Sequence, residues 1–452
     1  MRDSGFYRGG CGVVVQRAAA LLRRLSRAWK SFRQRRGVRN AIALLILLVV
    51  LRADAIPPSD YFSQQVDYLV SGRQFDFILW EATAGLDLVA HTAASPQAYL
   101  SEAQRKSLVL GYLARVRRIR ELEWQLNQVY SERQGEAAER AAEPLLAELH
   151  QLRQMQARQV SLVEGIVAEQ VEAVLITEGL GWGGYLWPPV KFSFEPLPLA
   201  LIISPRDEIR VKEEVHLQPG VPLEEWEDIE NRVDSALNVS SLVTDIGGIS
   251  TYPAMVYETS SLHWLMDVVA HEWTHDYLVF HPLGWNYYTS PELRTMNETV
   301  ASIVGEEVSK LVIARYYPEF VLPPSPPPEQ EESEPDEERF DFAQEMRTIR
   351  LRVQELLDAG LIEEAEAYME ERRQFLVSQG YYIRKLNQAY FAFHGSYATS
   401  PASGASEQVN PIGLQLTRLR TQTGSLKAFL DTVAPMSSYE DLLRVLAGGP
   451  PD

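Results

Sequence analysis

Apolar residues recur at helical spacing over most of this chain. Between about Asp60 and Thr177, positions such as Leu108, Leu113, Val116, Ile119, Leu122 and Leu126, and later Leu145, Leu149, Leu152 and Leu162, fit amphipathic helices. The small residues around Gly135, with Pro144 nearby, predict that residues 101–172 fold as an antiparallel hairpin and not as a sustained heptad zipper. A second hairpin is expected from residues 342–357 and 362–378, turning at Asp358-Ala359-Gly360. Between the hairpins the pattern shortens. Residues 197–204 and 209–217 read as strands, the second slipping phase at Glu213-Glu214. Residues 243–259 are strand-like but broken by Gly247, Gly248 and Pro253, which suits a sheet edge. Two apolar helices follow. One carries Leu262, Leu265, Val268, Val269 and Leu278 behind the cap candidates Thr259, Ser260 and Ser261. The other carries Val300, Ala301, Ile303, Val304 and Val308. The expected fold is α+β and predominantly helical: a small mixed or antiparallel sheet, then these two helices, with long helical hairpins on both sides.

Length and composition divide this plan further. At 452 residues with 46% hydrophobic content, the chain can hold two or three domains with sizeable cores. Gly181-Trp182-Gly183-Gly184 and Trp187-Pro188-Pro189 mark one break. A Pro-rich then acidic run over 322–338 marks a second, extended and solvated. The expected divisions are therefore 1–55, 56–180, 181–321, 322–338 and 339–452. Residues 1–55 hold twelve Arg or Lys against Asp3 and Asp54, so of the net −18 the rest of the chain carries −28. Such a body repels phosphate, and no nucleic-acid partner is expected. The basic run from Arg17 to Arg39 precedes an apolar core, Ala41 to Leu51, and an Ala53-Asp54-Ala55 site. This reads as an export signal or a short signal-anchor, with residues 1–39 cytoplasmic and the body extracytoplasmic. A single-pass membrane protein is expected, secretion after cleavage near Ala55 being the alternative. Cys11 is the only cysteine, so any metal is bound without thiolates from the body.

The first of the two apolar helices contains His271-Glu272-Trp273-Thr274-His275, an H-E-x-x-H pattern. Residues four apart share a helix face, so both imidazoles can reach one zinc ion while Glu272 projects beside it. Zinc lowers the pKa of water towards ~7 and the carboxylate can take the proton, which implies amide hydrolysis. Two residues compete as third ligand. His281 follows His275 by six residues, and an unbroken helix would carry it about 600° round, onto another face. Glu298 lies on the second apolar helix, where a buried carboxylate needs a partner.

With Asn297-Glu298-x-x-Ala301 some two dozen residues after H-E-x-x-H, the chain resembles the gluzincins, the thermolysin-like zinc peptidases, over perhaps sixty residues. The resemblance implies zinc ligation by His271, His275 and Glu298, with Glu272 as base. It departs at Ser302, where that group often carries an Asp that orients a zinc-bound His, leaving Glu306 or Asp267 as substitutes. In gluzincins a later His or Tyr stabilises the oxyanion, which points to His394 or Tyr397 in the aromatic segment 390–397. The expected function is a zinc metallopeptidase acting on peptide or protein substrates, held extended along a sheet edge. The alternatives are a non-catalytic membrane-anchored scaffold and a zinc hydrolase of a non-peptide amide.

Overall fold

The computed structural model describes residues 61–81, 84, 96–133, 135–323, 340–406 and 408–449. The basic and apolar segment 1–55 and the acidic run 324–339 lie outside the described residues. The chain divides into two units after Tyr68. The described part of the first, residues 61–68, lies in the helix α1 (Tyr61–Leu69). The second unit, from Leu69 on, carries all the elements that follow.

Two long helices come first. α2 (Glu102–Glu132) opens on a capping box, the Ser101 side chain accepting from the Gln104 backbone while Gln104 Oε1 accepts from Ser101 N at 2.9 Å. α3 (Glu136–Thr177) runs back after a turn in which Gly135 takes φ 58°, the left-handed region that suits glycine. Pro144 lies inside α3 and does not end it. Near the turn, Leu122 and Leu126 pack with Ala142 and Leu149. At the other end, Val109, Tyr112 and Val116 meet Val163, Ile166 and Val171 in one apolar cluster with the two H-E-x-x-H-region helices. The foot of the hairpin is therefore part of the central core.

The strands form two three-stranded sheets. In the first, β2 (Leu199–Pro205) lies between β3 (Glu213–Leu217) and β4 (Val239–Thr244), antiparallel to both. β2 reads Leu-Ala-Leu-Ile-Ile without alternation because both its faces are buried. A helix with no strong signature in the sequence, α4 (Leu223–Leu237), joins β3 to β4 and ends on Asn238 at φ 51°. In the second sheet, β1 (Phe192–Phe194) runs parallel to β6 (Ala254–Val256), and β5 (Gly248–Ile249) pairs antiparallel to β6 at the edge.

α5 (Leu262–Leu278) is capped by Ser261, whose Oγ accepts from Trp264 N. A short helix α6 (Pro282–Trp285) leads to α7 (Pro291–Tyr316), capped by Ser290 with Pro291 in its first turn. α5 and α7 lie against each other through Met266, Val269, Val300 and Val304, and Ser309 Oγ donates to His263 O at 3.0 Å. Gly305 lets them approach, since a methyl group there would overlap Asp267 and crowd His271. The second hairpin is α8 (Phe342–Asp358) and α9 (Ile362–Ser378), turning at Gly360 with φ 75°. Together with α10 (Gln388–Ser396) it covers the antiparallel sheet: Ala200, Ile202 and Leu242 lie under Met346, Ile349, Leu376 and Phe391. α11 (Ile412–Gln422), α12 (Leu426–Val433) and α13 (Tyr439–Leu446) add Leu416, Phe429 and Leu442 to the α5–α7 core. Among the described residues no helix is long and apolar enough to cross a membrane.

Candidate metal centre

α5 and α7 meet so that His271, His275 and Glu298 converge. The two imidazole Nε2 atoms are 3.1 Å apart, and each lies 3.5 Å from Glu298 Oε2. A four-coordinate ion with bonds of about 2.0–2.1 Å spaces its ligand atoms about 3.3–3.4 Å apart, so the three separations fit the face of such a site. Their chemistry fits as well. Glu298 Oε2 is buried without a hydrogen-bond partner. Three acceptor-capable atoms turned towards one point, with a carboxylate among them, call for a cation. These three residues form the one group with metal-ligand spacing among the described residues.

Neighbouring side chains orient the ligands. Asn297 Nδ2 donates to Leu283 O at 3.2 Å, which leaves its Oδ1 to accept from His275 Nδ1 at 2.7 Å. That assignment protonates Nδ1 and turns the Nε2 lone pair to the metal position. The Tyr287 hydroxyl donates to Glu298 Oε1. Arg294 in turn lies over the Tyr287 ring, 5.2 Å from its centroid, and pairs with Glu214 of β3 at 2.8 Å. Burial and the Glu298 charge hold the Tyr287 phenol well above its usual pKa, so it stays a donor at neutral pH. Asn297→Ala is expected to weaken metal affinity about 10–100-fold, read by competition with a chromophoric chelator. Unchanged affinity would mean that His275 holds its orientation without the amide.

The electrostatics also favour a cation. Burial would raise Glu298, but the two imidazoles outweigh it and hold the carboxylate well below the usual range. Burial would likewise depress His275, yet Glu298 pushes it up to about 9, whereas His271 is lowered by burial.

Glu272 lies on the wall of the same cavity, of about 280 Å³, with its carboxyl pushed up to about 8 by burial. It packs on the backbone of the edge strand β5, where a methyl group on Gly248 would overlap the carboxylate. Ser250 Oγ donates to Asp276 Oδ1 at 2.7 Å, tying the end of that strand to α5. Gly248→Ala is expected to displace the Glu272 carboxylate with metal content unchanged, as a crystal structure and metal analysis of the variant would show. An unmoved carboxylate in the variant would contradict the close packing on β5.

The other expected site residues separate. Tyr397 lines the cavity, its ring centroid 6.3 Å from that of His271, and burial holds its hydroxyl protonated. His394 does not line it. Its ring lies against Tyr390 and Phe393, and burial pulls it down to about 4. His281 precedes α6, 4.5 Å from the Tyr277 ring, outside the ligand group. Glu306 pairs with Lys310 at 2.5 Å on the exposed side of α7, and Asp267 sits beside Gly305. The ligand-orienting roles fall to Asn297 and Tyr287 instead. Asn297 stood inside the N-E-x-x-A motif, whereas no spacing rule marks Tyr287. Compared with protein-family models, with curated proteins and with solved structures, the chain has no match. The donors and the cavity around them are therefore what bear on function.

Proposed function

We propose that this protein is a zinc-dependent metallopeptidase of gluzincin type, with His271, His275 and Glu298 as ligands and Glu272 as general base. The observation that carries the reading is the buried Glu272 carboxyl on the wall of the cavity in which two imidazole nitrogens and a carboxylate oxygen stand 3.1–3.5 Å apart. Two His and one carboxylate also hold Fe(II) in oxygenases, and a carboxyl group poised as a base is what favours hydrolysis here. A bound zinc ion would supply Lewis acidity, withdrawing electrons from a carbonyl and acidifying water.

The chain's own residues do the rest. Glu272 takes a proton from the attacking water at a carboxylate oxygen and passes it to the leaving amine. A positive charge held by the ligands favours the ionised form of Glu272, against the burial that raises it. The Tyr397 hydroxyl serves as donor to the developing oxyanion. Asn297 and Tyr287 keep their ligands in place. The edge strand β5, with the adjoining Ser250 on the same wall, offers main-chain groups to an extended peptide. The basic and apolar segment 1–55 would hold the active body on the outer side of a membrane.

The test is hydrolysis of a mixed peptide library by the purified protein, before and after metal removal and zinc return. Cleavage that chelation abolishes and zinc restores supports the reading. Bound zinc with no cleavage of any peptide favours a scaffold, and turnover confined to non-peptide amides favours the other hydrolase.

A further inference from the structure

A second cavity, of about 810 Å³, adjoins the metal cavity, the two sharing Glu214, Tyr287, Tyr288 and Arg294 in their walls. Its size suits several residues of a bound chain. The charged side chains on this wall are mostly neutralised by each other. Arg294 pairs with Glu214 at 2.8 Å and Arg210 with Glu208 at 2.6 Å. Arg350, on α8, differs. Its Nη1 is buried with no hydrogen-bond partner, and it has no ion pair among the described residues. The guanidinium lies over the Phe391 ring at 5.4 Å. Burial pulls it down to about 9, with no carboxylate among the described residues to offset the loss of solvent. Gly404 leaves no slack at the root of this side chain, since a methyl group there would strike Arg350 Cβ and Met346 O.

A half-buried guanidinium whose inner nitrogen has no partner among the described residues is disfavoured unless an anion joins it. We propose that Arg350 is the receptor for a carboxylate of the substrate, bound in the larger cavity while the scissile bond lies at the metal. The planar fork of a guanidinium matches a carboxylate through two parallel hydrogen bonds. The carboxylate belongs either to a chain terminus or to an Asp or Glu side chain.

The proposal rests on the peptidase reading for the nature of the substrate, but its test needs no turnover. Three N-acetylated alanine tetrapeptides are titrated calorimetrically into the full chain under chelation: the free acid, its amide, and the amide with one Glu. The wild type is expected to bind one of the two charged peptides at least about tenfold more tightly than the neutral amide, and the tighter one identifies the source of the carboxylate. Arg350→Met should erase that preference and Arg350→Lys should keep part of it. Without peptide, Arg350→Met should also melt a few degrees higher, as it removes an uncompensated, half-buried charge. Equal binding of the three peptides, a preference that survives Arg350→Met, or a lowered melting temperature in that variant would overturn the proposal. Intact preference without hydrolysis in the presence of zinc would instead fail the peptidase reading alone.

Discussion

Glu272→Gln is expected to lower kcat by about 10²–10⁴-fold while metal content stays at the wild-type level. The amide keeps the volume of the carboxyl group in its place on β5, where Gly248 leaves no room for a shift. It removes only the capacity to accept a proton from water. The ligand atoms are on His271, His275 and Glu298 and are not altered, so metal analysis should not distinguish variant from parent. KM should change little, because the lost interaction is made in the transition state. A fully active Glu272→Gln protein would rule out the assigned mechanism. Loss of metal along with activity would make Glu272 part of the binding site instead.

Glu298→Ala has the second large effect, on the metal itself. Its Oε2 stands 3.5 Å from both imidazoles, and without it two neutral nitrogens remain. Affinity should drop by more than the roughly 10–100-fold seen when only an orienting neighbour is lost. The variant should therefore purify without stoichiometric metal. Chelation should lower the melting temperature of the wild type, because a ligand bound to the folded state alone stabilises it, and should leave that of Glu298→Ala unchanged. Glu298→Gln keeps an acceptor for the Tyr287 hydroxyl and separates loss of the ligand from loss of that hydrogen bond. Metal retained at wild-type stoichiometry in the alanine variant would exclude Glu298 as a ligand.

Periodicity and capping made the long elements readable in advance. The turn at Gly135, the hairpin at Gly360 and the Ser261 cap are local chemistry, and each is found at its expected place. The helix-rich α+β class follows from the same patterns. That the strands split into two sheets was not readable, because β5 and β6 are two and three residues long, too short for an alternating pattern, and pair only as Gly248–Val256 and Ile249–Met255. Of the two residues read as marking the first hairpin, Gly135 sets the turn, whereas Pro144 lies inside α3, beyond its first turn. In the metal group, His271 and His275 are placed by spacing alone. Glu298 depends on the crossing of α5 and α7, which Gly305 permits. Tyr287 and the Arg294–Glu214 pair reach the site from separate elements, and nothing local in the chain signals such long-range contacts. His394 and Tyr397 are three residues apart on one short aromatic segment, and only the packing of α10 decides that Tyr397 faces the cavity.

The central claim is that one metal ion sits between α5 and α7. Anomalous diffraction from crystals grown with zinc, recorded on both sides of the zinc absorption edge, tests it most directly. The account predicts a single peak about 2 Å from His271 Nε2, His275 Nε2 and Glu298 Oε2. A peak bound by other side chains, or full zinc loading of the solution with no peak at these three atoms, would contradict it.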